Sequence, residues 1–455
     1  MSAQPSNNKA ASTSSGQEQH NRRVQICGSL FSKLGDALSN TKVVLPALFH
    51  AIAAPTFFVG LISPIRESFS MLPQVFLTER VNRQKKPQTI YAFGALAQAL
   101  SLAAMLVAFL NLEGWIGGLA ILIALLLFSL ARSLCSLSSK TVLGATVRKS
   151  KRGGLLGTAG TIAGAISVAY GICLYIYTNR LLNTEPSSAS AASTNQSVGS
   201  GAVVSQGLAE HHWILGSLLG AASLFFALAA VSYLSVQWQN KSPDSSSGST
   251  PDQSPPAGRL LMNDTHFARF VITRAFMMVS ALAMPYIAML SLSSSQQDST
   301  STIAVFALLV IIEGSSSLVS SRFWGTASDK NSRMVLISSA LLSCVLCAFA
   351  TAGLSDLLSP PTWAWLLMYA LLSLTHNGVR LGRKTFVVDL ADDQQNSNEK
   401  RTEYVAISNT CIGALLLLFG LASAVLAQSS LFALFIVFTI SALIATVLGL
   451  TLKRI

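Results

Sequence analysis

Six ionisable side chains inside long apolar runs are the candidates for chemistry: His50, Arg66, Glu67, Arg132, Arg274 and Glu313. A charged group in oily surroundings is unfavourable by several kcal/mol, so it needs a partner or a path to water. Arginine has a long stem and can carry its charge to a membrane edge. That alternative applies to Arg132 and Arg274, and for the neighbouring Arg269 it is the preferred reading. Carboxylates have short stems, and Glu67 and Glu313 cannot reach water from the middle of a span. A carboxylate held there can alternate between ionised and neutral forms and so carry a proton. Glu67 and Glu313 are therefore candidates for coupling or gating. Arg66 either holds an anionic solute or neutralises an acid. His50 is either functional or a hydrogen-bonded structural residue. Adjacent helical residues point about 100° apart, so Arg66 and Glu67 need not pair with each other.

Other pairings carry little chemistry. Cys344 and Cys347 form a C-x-x-C within an apolar run without nearby histidine or carboxylate, which fits small packing residues better than a metal or redox site. His211-His212 is the only histidine pair, and no clear acid set accompanies it. No metal, cofactor or catalytic constellation is implied, and the chain is not read as an enzyme. No G-x-x-x-x-G-K-[ST] occurs, so nucleotide-driven work would need a separate subunit.

The elements that must position these groups follow from composition. The 455 residues are 51% hydrophobic and only 11% charged, about half the charged fraction of a soluble domain. A span needs roughly 20 apolar residues. Candidates lie at about 38–56, 58–78, 88–110, 114–137, 155–178 and 212–236, then at 267–291, 301–325, 334–355, 362–383, 403–426 and 429–452. The predicted class is an all-α polytopic membrane protein of about twelve helices. Residues 1–37 are polar, lack the apolar core of a signal peptide, and read as a disordered cytoplasmic tail. Residues 38–236 form a first six-helix bundle, 237–263 a cytoplasmic linker and 264–455 a second bundle. The Ser-rich segments 181–210 and 239–259 read as flexible connectors.

The net charge of +12 does not indicate nucleic acid, because the charges lie at the ends of spans. Arg80, Arg83, Lys85 and Lys86 share one side with Arg148, Lys151, Arg322, Lys330, Arg333, Arg383 and Lys384. Predicted loops on the other side hold one basic residue, Arg180. Positive loops stay inside. The stretch between Lys42 and Arg80 is basic at both ends, so it crosses twice, with Pro55 and Gly60 offering a turn. Both termini are then cytoplasmic, in an inner (plasma) membrane.

The halves share marks at a common offset. Glu79-Arg80-Val-Asn-Arg83 follows the second span, and Asp329-Lys330-Asn-Ser-Arg333 follows the eighth. Lys140-Thr141 and Lys384-Thr385 follow the fourth and tenth, with Arg132 and His376 each eight residues before the lysine. The chain looks duplicated, six helices plus six in parallel orientation. Gly325-Thr-Ala-Ser-Asp329-Lys330-Asn-Ser-Arg333 resembles the G-x-x-x-D-[RK]-x-G-[RK] signature of the major facilitator superfamily. The first-half copy is degraded: Glu79, Arg80 and Arg83 remain, but Val75 and Asn82 replace glycines. The resemblance covers residues 38–452 through topology and implies two pseudo-symmetric bundles. It also implies a gating role for Glu79, Arg80, Arg83, Gly325, Asp329, Lys330 and Arg333, because a carboxylate at a helix end can pair with arginines and helix N-termini.

The leading reading is a secondary transporter that moves a small solute by alternating access, with the proton as the coupling ion that Glu67, Glu313 and His50 would serve. Three intramembrane arginines tilt the solute toward an organic anion. A monomer in the lipid bilayer suffices. A non-transporting sensor or scaffold of transporter ancestry, and an integral membrane enzyme, are the alternatives.

Overall fold

A computed structural model describes residues 6–82, 84, 86–146, 149–184, 212–237, 264–295, 302–355, 358, 360–393 and 398–453. The proposed linker beyond Gln237 and nearly all of the Ser-rich segment 181–210 lie outside them. Among the described residues every regular element is helical. The first half contains α1 (Ser6–Leu38), α2 (Val44–Ala51), α3 (Thr56–Asn82), α4 (Pro87–Asn111), α5 (Gly114–Thr146), α6 (Lys149–Thr184) and α7 (His212–Leu234). The second contains α8 (Thr265–Phe276), α9 (Val279–Ser294), α10 (Thr302–Gly353), α11 (Thr362–Asp393), α12 (Asn398–Ser429) and α13 (Leu431–Leu450). Helix α10 is two membrane helices in series. Its backbone leaves the helical region at Asn331 (φ −162°, ψ 93°). There the Asn331 side chain accepts a 2.9 Å hydrogen bond from the Met334 amide and caps the second limb.

The first crossing departs from the sequence expectation. It is not confined to 38–56, and the segment before it is not a disordered tail throughout. Helix α1 packs along α7: Gly28 lies against Tyr233 and Gly35 against Phe226. These glycines stand seven residues apart on one face and permit close helix contact. Asn21 and Gln25 are buried here. Asn21 donates to the Gln237 carbonyl at 2.9 Å and Gln25 to Thr146 at 2.5 Å. Polar residues satisfied inside a bundle lower the hydropathy of the helix that carries them, so the segment read as polar tail.

Each half begins with an interrupted helix. Between α1 and α2 the Asn40 side chain accepts from the Lys42 amide at 2.8 Å, a local turn that competes with helix. Between α8 and α9 the break falls at Met277–Met278. Counting each interrupted pair as one crossing and α10 as two gives twelve. The Pro55 turn is observed, with Ala53 left-handed at φ 52°. Gly60 is instead inside α3, where its missing Cβ makes room for Tyr286 and Ala424 of the other half.

Among the described residues nine of the helices are long and apolar enough to span a membrane. The crossings that fall short are α1–α2, α3 and α11. These three carry Asp36, Lys42, Arg66, Glu67, His376, Arg380 and Arg383, and charge is what lowers their hydropathy. Large apolar side chains such as Phe93, Ile116, Leu224, Leu418 and Val447 are exposed on the outer surface, as a lipid-facing belt requires. The chain is a multi-pass membrane protein.

The halves meet along two seams. One packs α3 on α12, with Gly420 against Pro64 and Gly413 against Leu72. The other packs α6 on the first limb of α10, with Gly164 against Leu318, Gly171 against Ile311 and Gly314 against Val168. Small residues on both sides bring the backbones together.

Candidate functional site

The charges within the bundle sort into three clusters, one inside the first half and two between the halves. The first lies wholly within the first half. Asp36 on α1 accepts from Arg66 of α3 at 2.9 Å and from Arg132 of α5 through the same Oδ1 atom. The Arg66 guanidinium also sits 5.0 Å over the Phe128 ring, a cation–π contact. Arg132 therefore does not snorkel to the surface; it meets an acid from a segment that the sequence assigned to the tail. One carboxylate faces two guanidiniums, and its removal would strand both.

The second cluster crosses between halves. Lys42, placed by the break after α1, puts Nζ 2.8 Å from Glu313 Oε1 on α10. The other oxygen of Glu313 accepts from Ser373 at 2.7 Å and Tyr369 at 3.1 Å, both on α11. Ser373 and Tyr369 are four residues apart and share one helix face. Glu313 is thus held by three donors, two from its own half and one from the other.

The third cluster surrounds Glu67. Among the described residues its carboxylate makes no ion pair within 4 Å. It lines a small cavity with Arg274 of α8 and His376, Arg380 and Arg383 of α11. The α11 residues stand at i, i+4 and i+7 and form one stripe. Arg274 is 4% exposed. Its Nη1 donates to Ser408 at 2.5 Å and its Nη2 to Asn409 at 2.9 Å, both on α12, while Nε has no partner. His376 Nδ1 lies 3.2 Å from Ser280 Oγ on α9. The repeat marks Arg132 and His376 thus make equivalent connections, each reaching the interrupted first helix of its own half.

The remaining predicted residues are placed as follows. His50 is on α2, and both ring nitrogens are buried without a hydrogen bond among the described residues. Its neighbourhood is apolar core, and it joins none of the three clusters. Glu79 and Arg80 are in α3, but their side chains, like that of Asp329 and all of Arg83, lie outside the described residues. Gly325 has open space where a Cβ would go, and Lys330 is exposed. Arg333 donates to the Leu450 carbonyl at 2.5 Å, tying the second limb of α10 to the end of α13. Ser332 donates to Asp389 at 2.7 Å and Ser328 to Thr385 at 2.9 Å, so the signature segment is stitched to α11. Among the described residues no group of three or more histidine, cysteine or acid side chains suits a metal.

Sequence reasoning missed Asp36, Lys42 and Arg380 as site residues, and read Arg383 only as a loop charge. A signal for Asp36 was present. Two arginines inside predicted spans of one half call for an acid, and the apolar residues Val24, Phe31 and Leu34 mark a helical face on the segment that carries it.

No protein-family model matches the sequence, and no curated protein is significantly similar to it. Solved structures are similar in fold. A variant of the nucleoside transporter NupG superposes with a TM-score of 0.67 at 13% identity, over 95% of this chain and 100% of that one. A D-xylose-proton symporter gives a TM-score of 0.59 at 13% identity, over 94% and 95%. A bacterial homolog of the human lysosomal transporter Spinster gives 0.55 at 10% identity, over 96% and 99%. Identities this low establish shared architecture.

Proposed function

We propose that this chain, which has the major facilitator superfamily fold, is a secondary active transporter that moves a small solute by alternating access with protons as coupling ion. The observation that carries this reading is the Lys42–Glu313 ion pair. It joins the two halves inside the helical bundle, and so does the seating of Glu67 among cations of the second half. A pair buried between two rigid bodies must break whenever they rock apart. Charges persist at such a place because separation serves a cycle; a static scaffold would be more stable with apolar residues there.

In this mechanism Asp36 is the proton site. It is held by Arg66 and Arg132 within one half, so it can gain or lose a proton without separating the halves. Protonation would weaken its hold on both guanidiniums and free Arg66 and Arg132 to turn toward the seam. Glu313 and Lys42 form the closure between halves. Motion needs no ATP, because the two conformations interconvert by rocking and the proton gradient biases their populations.

The solute this charge balance favours is an anion, since three guanidiniums and one carboxylate line the seam cavity. Two of the arginines that first suggested an anion, Arg66 and Arg132, are engaged by Asp36, and the preference now rests on Arg274, Arg380 and Arg383. The protein would act as a monomer in an inner membrane with both termini cytoplasmic, as the placement of basic loops implies.

The test is uptake into proteoliposomes with an imposed inward proton gradient, offering a nucleoside, D-xylose, a dicarboxylate and inorganic phosphate in turn. Accumulation that collapses with a protonophore is expected for one class. A protein that is folded and inserted, carries no solute of any class, and is indifferent to Asp36→Asn would instead be a sensor or scaffold.

A further inference from the structure

We propose that the cavity between α3, α8 and α11 is a binding site for a small carboxylate- or phosphate-bearing anion, and that Glu67 is its resident occupant when no ligand is bound. This rests on the anion-transport reading above and adds to it a defined site and a competitor built into the chain.

The cavity wall has an unequal origin. Arg274, His376, Arg380 and Arg383 all belong to the second half, whereas Glu67 is the one charged group contributed by the first half and the one acid among the lining residues. A basic pocket built by one body is therefore faced by an acid carried on the other, which lines it without closing an ion pair within 4 Å among the described residues. Arg274 shows that the pocket is built for an anion. It is 4% exposed, and its hydrogen bonds go to neutral Ser408 and Asn409, with Nε unpartnered. A guanidinium buried with neutral partners is unfavourable unless a negative charge approaches it. Arg380 and Arg383 share the helix face of His376 and bring two more planar donor forks, the geometry that suits carboxylate and phosphate oxygens.

Volume decides what can enter. The cavity holds about 30 Å³ of water-accessible space, enough for one or two waters and too little for an organic anion. A ligand can bind only if Glu67 withdraws. Glu67 is fixed to α3, and α3 packs on α12 across the seam. Withdrawal of Glu67 and separation of the halves on this side are then one event, and the arriving anion supplies the negative charge that the basic wall loses. A neutral solute cannot make that exchange. The tethered acid thus selects for charge and keeps the empty pocket closed.

Isothermal titration calorimetry on the detergent-purified full-length chain tests this, with succinate and inorganic phosphate as probes and D-xylose as the neutral control. If Glu67 occupies the pocket most of the time, apparent affinity is lowered by the fraction of time it is vacant. Glu67→Gln is expected to bind succinate, phosphate or both on the order of tenfold more tightly than the wild type, with D-xylose unchanged. In the Glu67→Gln background, Arg274→Gln should abolish the gain. Arg383→Gln, at a half-buried position, repeats that test should Arg274→Gln fail to fold. Unchanged or weaker binding of both anions by Glu67→Gln overturns the inference, as does a gain that survives loss of Arg274 or Arg383. Proteoliposome uptake by the wild type is scored separately. Uptake without a Glu67 effect on binding sinks this inference and leaves the transporter reading standing; absence of any uptake sinks that reading on its own account.

Discussion

Asp36 and Glu313 are both buried acids with cationic partners, yet they are built differently. Asp36 meets Arg66 and Arg132, all three on helices of the first half. Glu313 meets Tyr369 and Ser373 of its own half and Lys42 of the other. Rigid-body rocking leaves the first cluster intact and breaks the second. In the proposed cycle the first would hold the proton and the second would report whether the halves are closed. Burial and charge are alike in the two; what separates their roles is which rigid body each partner rides on.

The strongest way to break this comparison is Asp36→Asn. It leaves the buried Arg66 and the partly exposed Arg132 without their shared counter-charge, and with the cluster partly open to solvent the loss is about 1–3 kcal/mol. Proton-driven accumulation should vanish, and the midpoint of thermal unfolding in detergent should fall by several degrees. Wild-type accumulation by a folded Asp36→Asn protein would remove Asp36 from the coupling role.

A smaller effect is expected at the seam. Lys42→Gln and Glu313→Gln should each impair transport, and the double variant should be less impaired than the sum of the two. The interaction energy in that cycle should lie at about 1–3 kcal/mol. Additive behaviour would mean that the two groups act independently and the closure is elsewhere. In the proposed cycle the pair breaks when the halves separate, so Glu313→Gln should also raise the labelling rate of a cysteine placed near Lys42. Asp36→Asn should not affect that rate.

Gly420→Ala probes the closure by volume instead of charge. A Cβ there runs into the ring of Pro64 across the seam. Overpacking of this kind costs about 1–3 kcal/mol in the closed arrangement alone. The population of open molecules should rise in spin-label distance measurements across α3 and α12, with little loss of overall stability.

The mildest change is Ser373→Ala. It removes one of three donors to Glu313, an effect of about 1 kcal/mol. Solute flux should fall only a few-fold, with proton stoichiometry preserved. A total loss would show that Ser373 contacts the solute directly.

Much of the architecture was legible before any coordinates. Apolar runs separated by basic loops mark the crossings, and the Asp329–Arg333 segment lies where two membrane helices join. Five of the six intramembrane candidates, Arg66, Glu67, Arg132, Arg274 and Glu313, fall into the three clusters; His50 does not. Two features were hidden. Helix α1 satisfies its polar residues against α5 and the segment just after α7, and a hydropathy scan discounts such a helix. Lys42 sits in a five-residue break, and a break inside a span looks like the beginning of one.

Chain order alone determined that this protein crosses a membrane repeatedly, which ends of its helices lie among basic loops, and that ionisable groups sit where lipid would reject them. Hydropathy and loop charge are local sums over adjacent residues, so no folded partner is needed to read them. Only the tertiary structure decided that Asp36 serves Arg66 and Arg132, that Lys42 answers Glu313 across the seam, and that Glu67 points into a basic pocket of the opposite half. Those pairings depend on the rotation of each helix about its axis and on which helices become neighbours. Both are set by packing between residues tens to hundreds of positions apart.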